Sequence, residues 1–494
     1  MQILAEEQVD LGRALIRAGN HLAAIQCMAR AIKFQPDYFA AYRWLGILQR
    51  HLGDSQAAKE WYLLSLHCSS VSPDVYMDLG GVCMELGQGL EAVGYLLCAL
   101  DTATLNWAEY QAVGIALSRL GEPVRATEAL TRSNAMHPTA ETWNQLGFCR
   151  FLQSDPVAAE DLYRTALQFD PECASAHANR GLTLLLQGKY EEGFREYDWR
   201  LKIQGRNYYH FEGFEAPLWR GEPMVGKTIL LHAEQGYGDT LQFLRYVPMV
   251  AARHARVLLV AQPALRKLVM NHPGVSECIS ITERLPEVDL QCPLMSLPHV
   301  FGTTFTTVPK VTQIVPPPPD NDPQQGPKRS FQVGLVWAGN PRHVTDRNRT
   351  LHLKTFDELG GLGDQVAFVS LQHGEAARQL SERHTAFAIR DACSTVKDFA
   401  DTAAIVAGLD LVITVDTAMA HLAGSMGKPV WVLLGPVPEW RWTLEGDTTP
   451  WYPTARLFRL GKQDEWADVM KRVAIELREF CSSRLQAAAS EHNS

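Results

Sequence analysis

Two hydrophobic periods divide the chain. Over roughly residues 5–200 the apolar positions follow the helical spacing, in blocks long enough for two helices each. Beyond residue 227 they form short runs of four to eight residues, the length of buried strands, with helical stretches between them. Glycines punctuate the first region at 12, 46, 80, 114, 147 and 181, at intervals of 34, 34, 34, 33 and 34. Four residues before them stand Gln8, Tyr42, Tyr76, Tyr110, Trp143 and His177, and twelve after them Ala24, Ala58, Ala92, Ala126, Ala159 and Gly193. Small residues let two antiparallel helices approach and large ones fill the groove beside them, so the pattern predicts stacked helix pairs, none of which buries its apolar face alone. Ala31, Ser65, Ala99, Ser133 and Ala166 add a further small position, and Pro36, Pro138 and Pro171 mark the passage to the next pair.

The second region opens on a deceptive motif. Gly221-Glu-Pro-Met-Val-Gly-Lys-Thr228 matches the phosphate-loop expression, which requires the order strand, loop, helix. Here a strand, Thr228 to Ala233, follows the match instead of preceding it, so a nucleotide-triphosphatase site is not expected. The strand-loop-helix order comes next, at Glu234-Gln-Gly-Tyr-Gly-Asp239 followed by Thr240 to Val247. Gly236 and Gly238 permit a tight turn and close approach of a ligand, and Asp239 is expected to begin the helix, as its cap or as a reacting carboxylate. Further strands are expected near Arg256, Glu277 and Asp289, with a helix from Pro263 to Met270. The proline run 316–319 and the polar stretch to Arg329 read as a linker.

Another apolar strand, Phe331 to Ala338, leads into a loop carrying Asn340, Arg342, His343, Arg347 and Arg349. A second, Val366 to Leu371, ends at Gln372-His373-Gly374. The strand Leu409 to Val415 runs into Asp416-Thr-Ala-Met-Ala-His-Leu-Ala-Gly424, where Thr417 or Asp416 can cap a helix and His421 lies one turn on. In an open α/β lobe, ligands bind beyond the carboxyl ends of strands, where these loops lie. The aromatic segments Pro436 to Trp442 and Trp451-Tyr-Pro453 suit either a sugar platform or packing between lobes. The final helix, Glu465 to Phe480, carries no chemistry.

A formal net charge of −9 excludes a generally nucleic-acid-binding surface. Ten cysteines without a C-x-x-C pair read as small hydrophobes of a reducing compartment, and no His, Asp or Glu spacing calls for a metal. The first residues show no signal segment, and no apolar run reaches the roughly 18 residues that span a bilayer, so a cytoplasmic location is expected.

The repeating positions over residues 5–200 resemble the tetratricopeptide repeat. The module from about Lys227 to Ala474 resembles the two-lobed GT-B glycosyltransferases near the ADP-heptose transferases, on the strength of Gly236-Tyr-Gly-Asp239, Val415-Asp-Thr-Ala-Met-Ala-His-Leu-Ala-Gly424 and Gly427-Lys-Pro429. The fold class expected is therefore a helical-repeat superhelix followed by two Rossmann-like lobes. The resemblance implies that Asp239 activates an acceptor hydroxyl and that Asp416, Thr417, His421 and Leu422 line a nucleotide-sugar site, with inversion at the anomeric carbon. The repeats depart from the plain heptose transferases, and the overall order is also similar to that of protein O-GlcNAc transferases, whose signature loops are absent.

The boundaries expected are 1–200 for six repeats, 201–226 for a docking linker, 227–315 for the acceptor-side lobe, 316–330 for the interlobe linker, 331–482 for the donor-side lobe and 483–494 for a tail. The function expected is metal-independent transfer of a sugar from a nucleotide sugar, with no other cofactor, to a protein or glycan acceptor. Asp239, His421 and Arg347 are the expected catalytic residues. Gly236, Tyr237, Gly238, Asn340, Arg347, Gln372, Asp416, Thr417, His421 and Leu422 are the expected substrate contacts. The repeats are expected to bind a protein or peptide, or to mediate self-association. A sugar-nucleotide sensor without turnover, or a repeat scaffold, are the alternatives.

Overall fold

The computed structural model describes residues 1–494 apart from 69–71, 103–104, 204–214, 317–329, 342–345, 347–348, 383–385, 462–463 and 492–494. It divides into two compact units, Met1–Ala176 and His177–Ser494.

The first unit holds five helix pairs: Gln2–Arg17 with His21–Phe34, Phe39–His51 with Ser55–Cys68, Pro73–Glu85 with Gly89–Thr102, Trp107–Arg119 with Pro123–Met136, and Ala140–Leu152 with Pro156–Phe169. The reason for the periodic glycines is steric. A Cβ added at Gly12, Gly46, Gly80, Gly114 or Gly147 would lie 2.5–2.7 Å from the side chain sixteen residues on, namely Met28, Tyr62, Leu96, Leu130 or Tyr163. The alanines predicted to face them, Ala24, Ala58, Ala92, Ala126 and Ala159, are fully buried. Each pair turns through a residue in the left-handed region. It is Gly19, Gly53, Gly87 and Gly121 in four pairs, but Ser154, at φ 61°, in the fifth.

The division between the units falls within the helix Ala174–Leu186, so the sixth pair, completed by Tyr190–Tyr197, is counted by compactness with the second unit. The repeat pattern runs on to about residue 200 because it records how each helix packs on its partner. Compactness records what the finished pair packs against.

The rest of the second unit has two parallel sheets. In the first lobe β1 (Thr228–His232), β2 (Arg256–Ala261), β3 (Glu277–Ser280) and β4 (Leu290–Pro293) lie in the order β3-β2-β1-β4. The segment before β1 lies against β4, with Trp219 N–H donating to the Gln291 carbonyl, and the turn at Gly226 feeds directly into β1. The phosphate-loop match thus has the wrong topology, as expected.

In the second lobe β5 (Phe331–Val336), β6 (Val366–Ser370), β7 (Ile389–Asp391), β8 (Leu411–Val415), β9 (Val430–Leu434) and β10 (Ala455–Arg459) lie in the order β10-β9-β8-β5-β6-β7. The strands are apolar on both faces, as in sheets covered by helices on each side. The chain reverses its direction of travel between β5 and β8, which pair from Val333↔Leu411 to Val336↔Thr414. The exits of these two strands flank the switch point at which such sheets bind ligands. The final helix, Trp466–Glu491, is longer than the sequence suggests and packs Val469, Met470, Val473 and Leu477 onto the lobe's core.

Candidate functional site: the cleft between the two lobes

A cleft of about 1410 Å³ opens where the β1 exit of the first lobe faces the β5, β6 and β8 exits of the second. Its first-lobe wall is Gln235–Asp239. The helix here is Tyr237–Phe243, with Gly236 as its N-cap. Asp239 is therefore not the cap that the sequence suggested. It stands two residues inside the helix and folds back, its Oδ2 accepting from Gly236 N–H at 2.8 Å. Oδ1 pairs with the Arg441 guanidinium of the other lobe.

Arg441 is a residue the sequence reading did not single out. Its side chain is 5% exposed, and besides Asp239 it pairs with Glu439 at 2.6 Å and donates to Gln242 of the first lobe. Its guanidinium carbon lies 4.4 Å from the Trp440 ring centre. Burial opposes its charge, but Glu439 and Asp239 outweigh burial and hold it firmly protonated. The Trp-Arg-Trp segment was legible as rigid aromatics. What it packs against was not, because Asp239 and Arg441 are 202 residues apart.

On the second-lobe wall the strand exits are tied together. Gln372, after β6, accepts at Oε1 from Trp337 N–H at 3.0 Å and Ala338 N–H at 2.8 Å, and donates from Nε2 to the Ala338 and His373 carbonyls. Expected as a substrate contact, it is 3% exposed and spends its amide bracing the β5 exit. Arg349 links that exit to the next, donating to the Asp416 carbonyl at 2.9 Å while Nε pairs with Asp346 at 3.1 Å. Asn340 lies on the same wall, exposed. Arg347, expected as the catalytic cation, lies outside the described residues, as do Arg342 and His343.

After β8, Thr417 caps the helix Ala418–Ser425, its hydroxyl accepting from Met419 N–H at 3.3 Å, and Asp416 lines the cleft beside it. Burial raises the Asp416 pKa, while Arg349 works in the other direction. His421 is buried at the cleft's base, Nδ1 2.9 Å from the Tyr452 hydroxyl. Burial first, then Arg441, Arg245 and Arg349, hold its pKa well below the ordinary value, so the imidazole is neutral. A neutral ring brings no positive charge to the cleft and donates or accepts one hydrogen bond. Leu422, the next residue, points about 100° around the helix, is fully buried and does not line the cleft.

Gly238 explains why the glycine motif and the histidine motif belong together. A Cβ there would lie 2.6 Å from the His421 ring, so glycine lets the two lobes' helices meet. Tyr237, 42% exposed, reaches across to Phe399 with ring centres 4.9 Å apart. The expected residues Gly236, Tyr237, Gly238, Asp239, Asn340, Gln372, Asp416, Thr417 and His421 thus share one cleft. The nearby Cys393 Sγ is 3.2 Å from His373 Nε2, yet burial pushes the thiol up to about 12 and the imidazole down, so the pair stays neutral and carries no thiolate. Among the described residues no three His, Cys, Asp or Glu side chains are grouped to hold a metal ion, and no helix is long and apolar enough to cross a membrane.

Residues 9–73 and 153–198 match the tetratricopeptide-repeat family model, and residues 362–474 match glycosyltransferase family 9 (heptosyltransferase). The second match includes Gln372, the Asp416–Gly424 motif and Arg441, and stops short of Asp239. Protein FlbA of Caulobacter vibrioides is 22% identical over 506 residues, which cover 94% of this chain and 83% of FlbA. Among solved structures, YrrB, a TPR protein with an unusual peptide-binding site, is 22% identical at a TM-score of 0.32, over 36% of this chain and 92% of its own. PilF of Pseudomonas aeruginosa is 18% identical at a TM-score of 0.34, over 41% and 90%.

Proposed function

From the premise that this chain joins tetratricopeptide repeats to a glycosyltransferase family 9 domain, we propose that the interlobe cleft binds a nucleotide sugar and transfers its sugar to a hydroxyl of a protein or glycan. The observation that carries this reading is the convergence of a carboxylate from one lobe, Asp239, on the anion-ready strand exits of the other. The Arg349 guanidinium and the N-terminus of the Ala418–Ser425 helix face the cleft from the β5 and β8 exits, where a departing diphosphate would need positive charge. Neutral His421 supplies a hydrogen bond at its base. Asp239 accepts the acceptor's proton, since each carboxylate oxygen keeps a lone pair beyond those taken by Gly236 N–H and Arg441. Arg441 and the Gly236 N–H hold that carboxylate in a fixed orientation. The diphosphate's charge is met by side chains and backbone N–H groups, with no metal required. The repeats of the first unit recruit a protein or peptide acceptor, and the whole chain acts in the cytoplasm.

The pairing of Asp239 with Arg441 also supports a second reading, a sugar-nucleotide sensor, because a guanidinium already seated on the carboxylate competes with an acceptor hydroxyl for it. Asp239→Ala separates the two. A transferase loses about 1000-fold or more in turnover while nucleotide-sugar affinity, measured by calorimetry, changes by less than about fivefold. A wild-type protein that binds the donor tightly and turns over neither acceptor nor water is a sensor.

A further inference from the structure

The sixth helix pair differs from the other five in how its glycine is used. In the first five pairs the nearest atom a Cβ would meet belongs to a side chain. At Gly181 it would lie 2.5 Å from the backbone N and 2.8 Å from the Cα of Tyr197. Two backbones in contact leave Tyr197 little freedom. Its hydroxyl then accepts from Gln235 Nε2 at 2.7 Å, and Gln235 is the first residue of the cleft's first-lobe wall.

Three residues on, Arg200 is 1% exposed and grips the equally buried Glu234 with both arms of its guanidinium, Nε to Oε2 at 3.0 Å and Nη2 to Oε1 at 2.6 Å. It also donates to Ser296 at 2.9 Å and Asp198 at 2.8 Å. A forked, buried pair of this kind fixes orientation as well as distance. The same pair of helices holds the other lobe, with Trp451 Nε1–H donating to the Tyr190 hydroxyl at 2.9 Å and Phe194 edge-on to Trp440 at 5.6 Å. Trp440 is the ring on which Arg441 rests.

We infer that the sixth helix pair, with the 3-10 turn Asp198–Lys202 that continues it, is a positioning element of the cleft, in which Tyr197 and Arg200 fix Gln235 and Glu234 and thereby set the placement of the Gly236–Asp239 loop. The inference deepens the proposed transferase reading, since the loop matters chiefly if Asp239 reacts. The pair therefore serves the site itself, in addition to any part it has in the repeat array. Small displacements of a reacting group are costly, about 100-fold for 1 Å, which is why such a loop needs a buried anchor.

The test uses the full chain and three variants, Tyr197→Phe, Gln235→Leu and Arg200→Lys. Amide hydrogen exchange across residues 235–243, followed without ligand, is expected to quicken about tenfold in Tyr197→Phe while β1 and the first unit are unchanged. Gln235→Leu should do the same, and the double variant no more, because both remove one hydrogen bond. Sugar release from ADP-, GDP-, UDP- and dTDP-linked sugars is expected to fall about tenfold in kcat with KM within twofold. Exchange within twofold of the wild type in folded Tyr197→Phe, or additive effects in the double variant, would overturn the inference. If the wild type releases sugar from none of the four donors, the transferase reading fails and hydrogen exchange alone decides the positioning role. Should Arg200→Lys not fold, Tyr197→Phe and Gln235→Leu still decide it.

Discussion

The repeats of the first unit and the cleft of the second use glycine for one purpose, the close approach of two helices, over very different distances along the chain. At Gly114 the obstructing atom is Leu130 Cγ, 2.6 Å from an added Cβ and sixteen residues away. At Gly238 the obstruction is the His421 ring, also at 2.6 Å but 183 residues away and in the other lobe. A local contact repeated in every pair leaves a period in the sequence. A contact made once between lobes leaves two short motifs with nothing to join them until the chain folds.

The comparison can be broken first at these two glycines. Gly238→Ala is expected to destabilise the second unit by about 2 kcal/mol, because the imidazole is held by Tyr452 and enclosed by packed aromatics and cannot move away. Gly114→Ala should cost less, about 1 kcal/mol, since Leu130 must shift at its Cγ but the helix preference of alanine offsets part of that cost. Native-state hydrogen exchange, which reads the two units separately, checks both. Equal losses would mean that the lobe contact is no tighter than a repeat contact.

Acid sharpens the contrast. His421 stays neutral when folded, whereas in the unfolded chain it takes up a proton near pH 6.5. The unfolded state therefore binds more protons between that pH and the depressed folded value, and the stability His421 leaves intact above pH 6.5 is lost as pH falls below it. Denaturant unfolding from pH 7 to 5 should show a fall that is shallower in His421→Gln by about 1 kcal/mol per pH unit. An unchanged slope would place the titration elsewhere.

The smallest effect belongs to the repeats. Ser154 stands in the left-handed turn that glycine occupies in the neighbouring pairs. Ser154→Gly is expected to stabilise the first unit by about 0.5–1 kcal/mol by removing that strain, as a raised urea midpoint with an unchanged slope. A loss of stability would show that Ser154 contributes a contact worth more than its backbone costs.

Most of the architecture was legible in the sequence. The 34-residue spacing located the helix pairs, and the apolar runs located β1–β4 and the central strands of the second sheet, because each signal depends on near neighbours, whereas the short edge strand β7 and the opposite edge β10 were not recognised. The cleft was legible in parts. Asp239, Asp416, Thr417 and His421 stand out because glycine, capping and strand-exit signals surround them. Arg441 carries no such signal, and its role exists only through Asp239 and Glu439. Gln372 shows the converse, a cleft-wall residue whose amide is spent on the β5 exit, and Leu422 is a motif position buried away from the cleft. Tyr197 and Arg200 fall at the end of the repeat pattern, and their partners Gln235 and Glu234 lie beyond a linker.

The proposed transferase needs a nucleotide sugar held on the β5 and β8 exits. Saturation-transfer NMR on the full chain and on Arg349→Met, with ADP-, GDP-, UDP- and dTDP-linked sugars and the free nucleotides as controls, tests it most directly. Selective transfer to one donor is expected in the wild type, weakened about tenfold or more in the variant. Silence toward all four donors from folded protein would contradict it and favour a repeat scaffold.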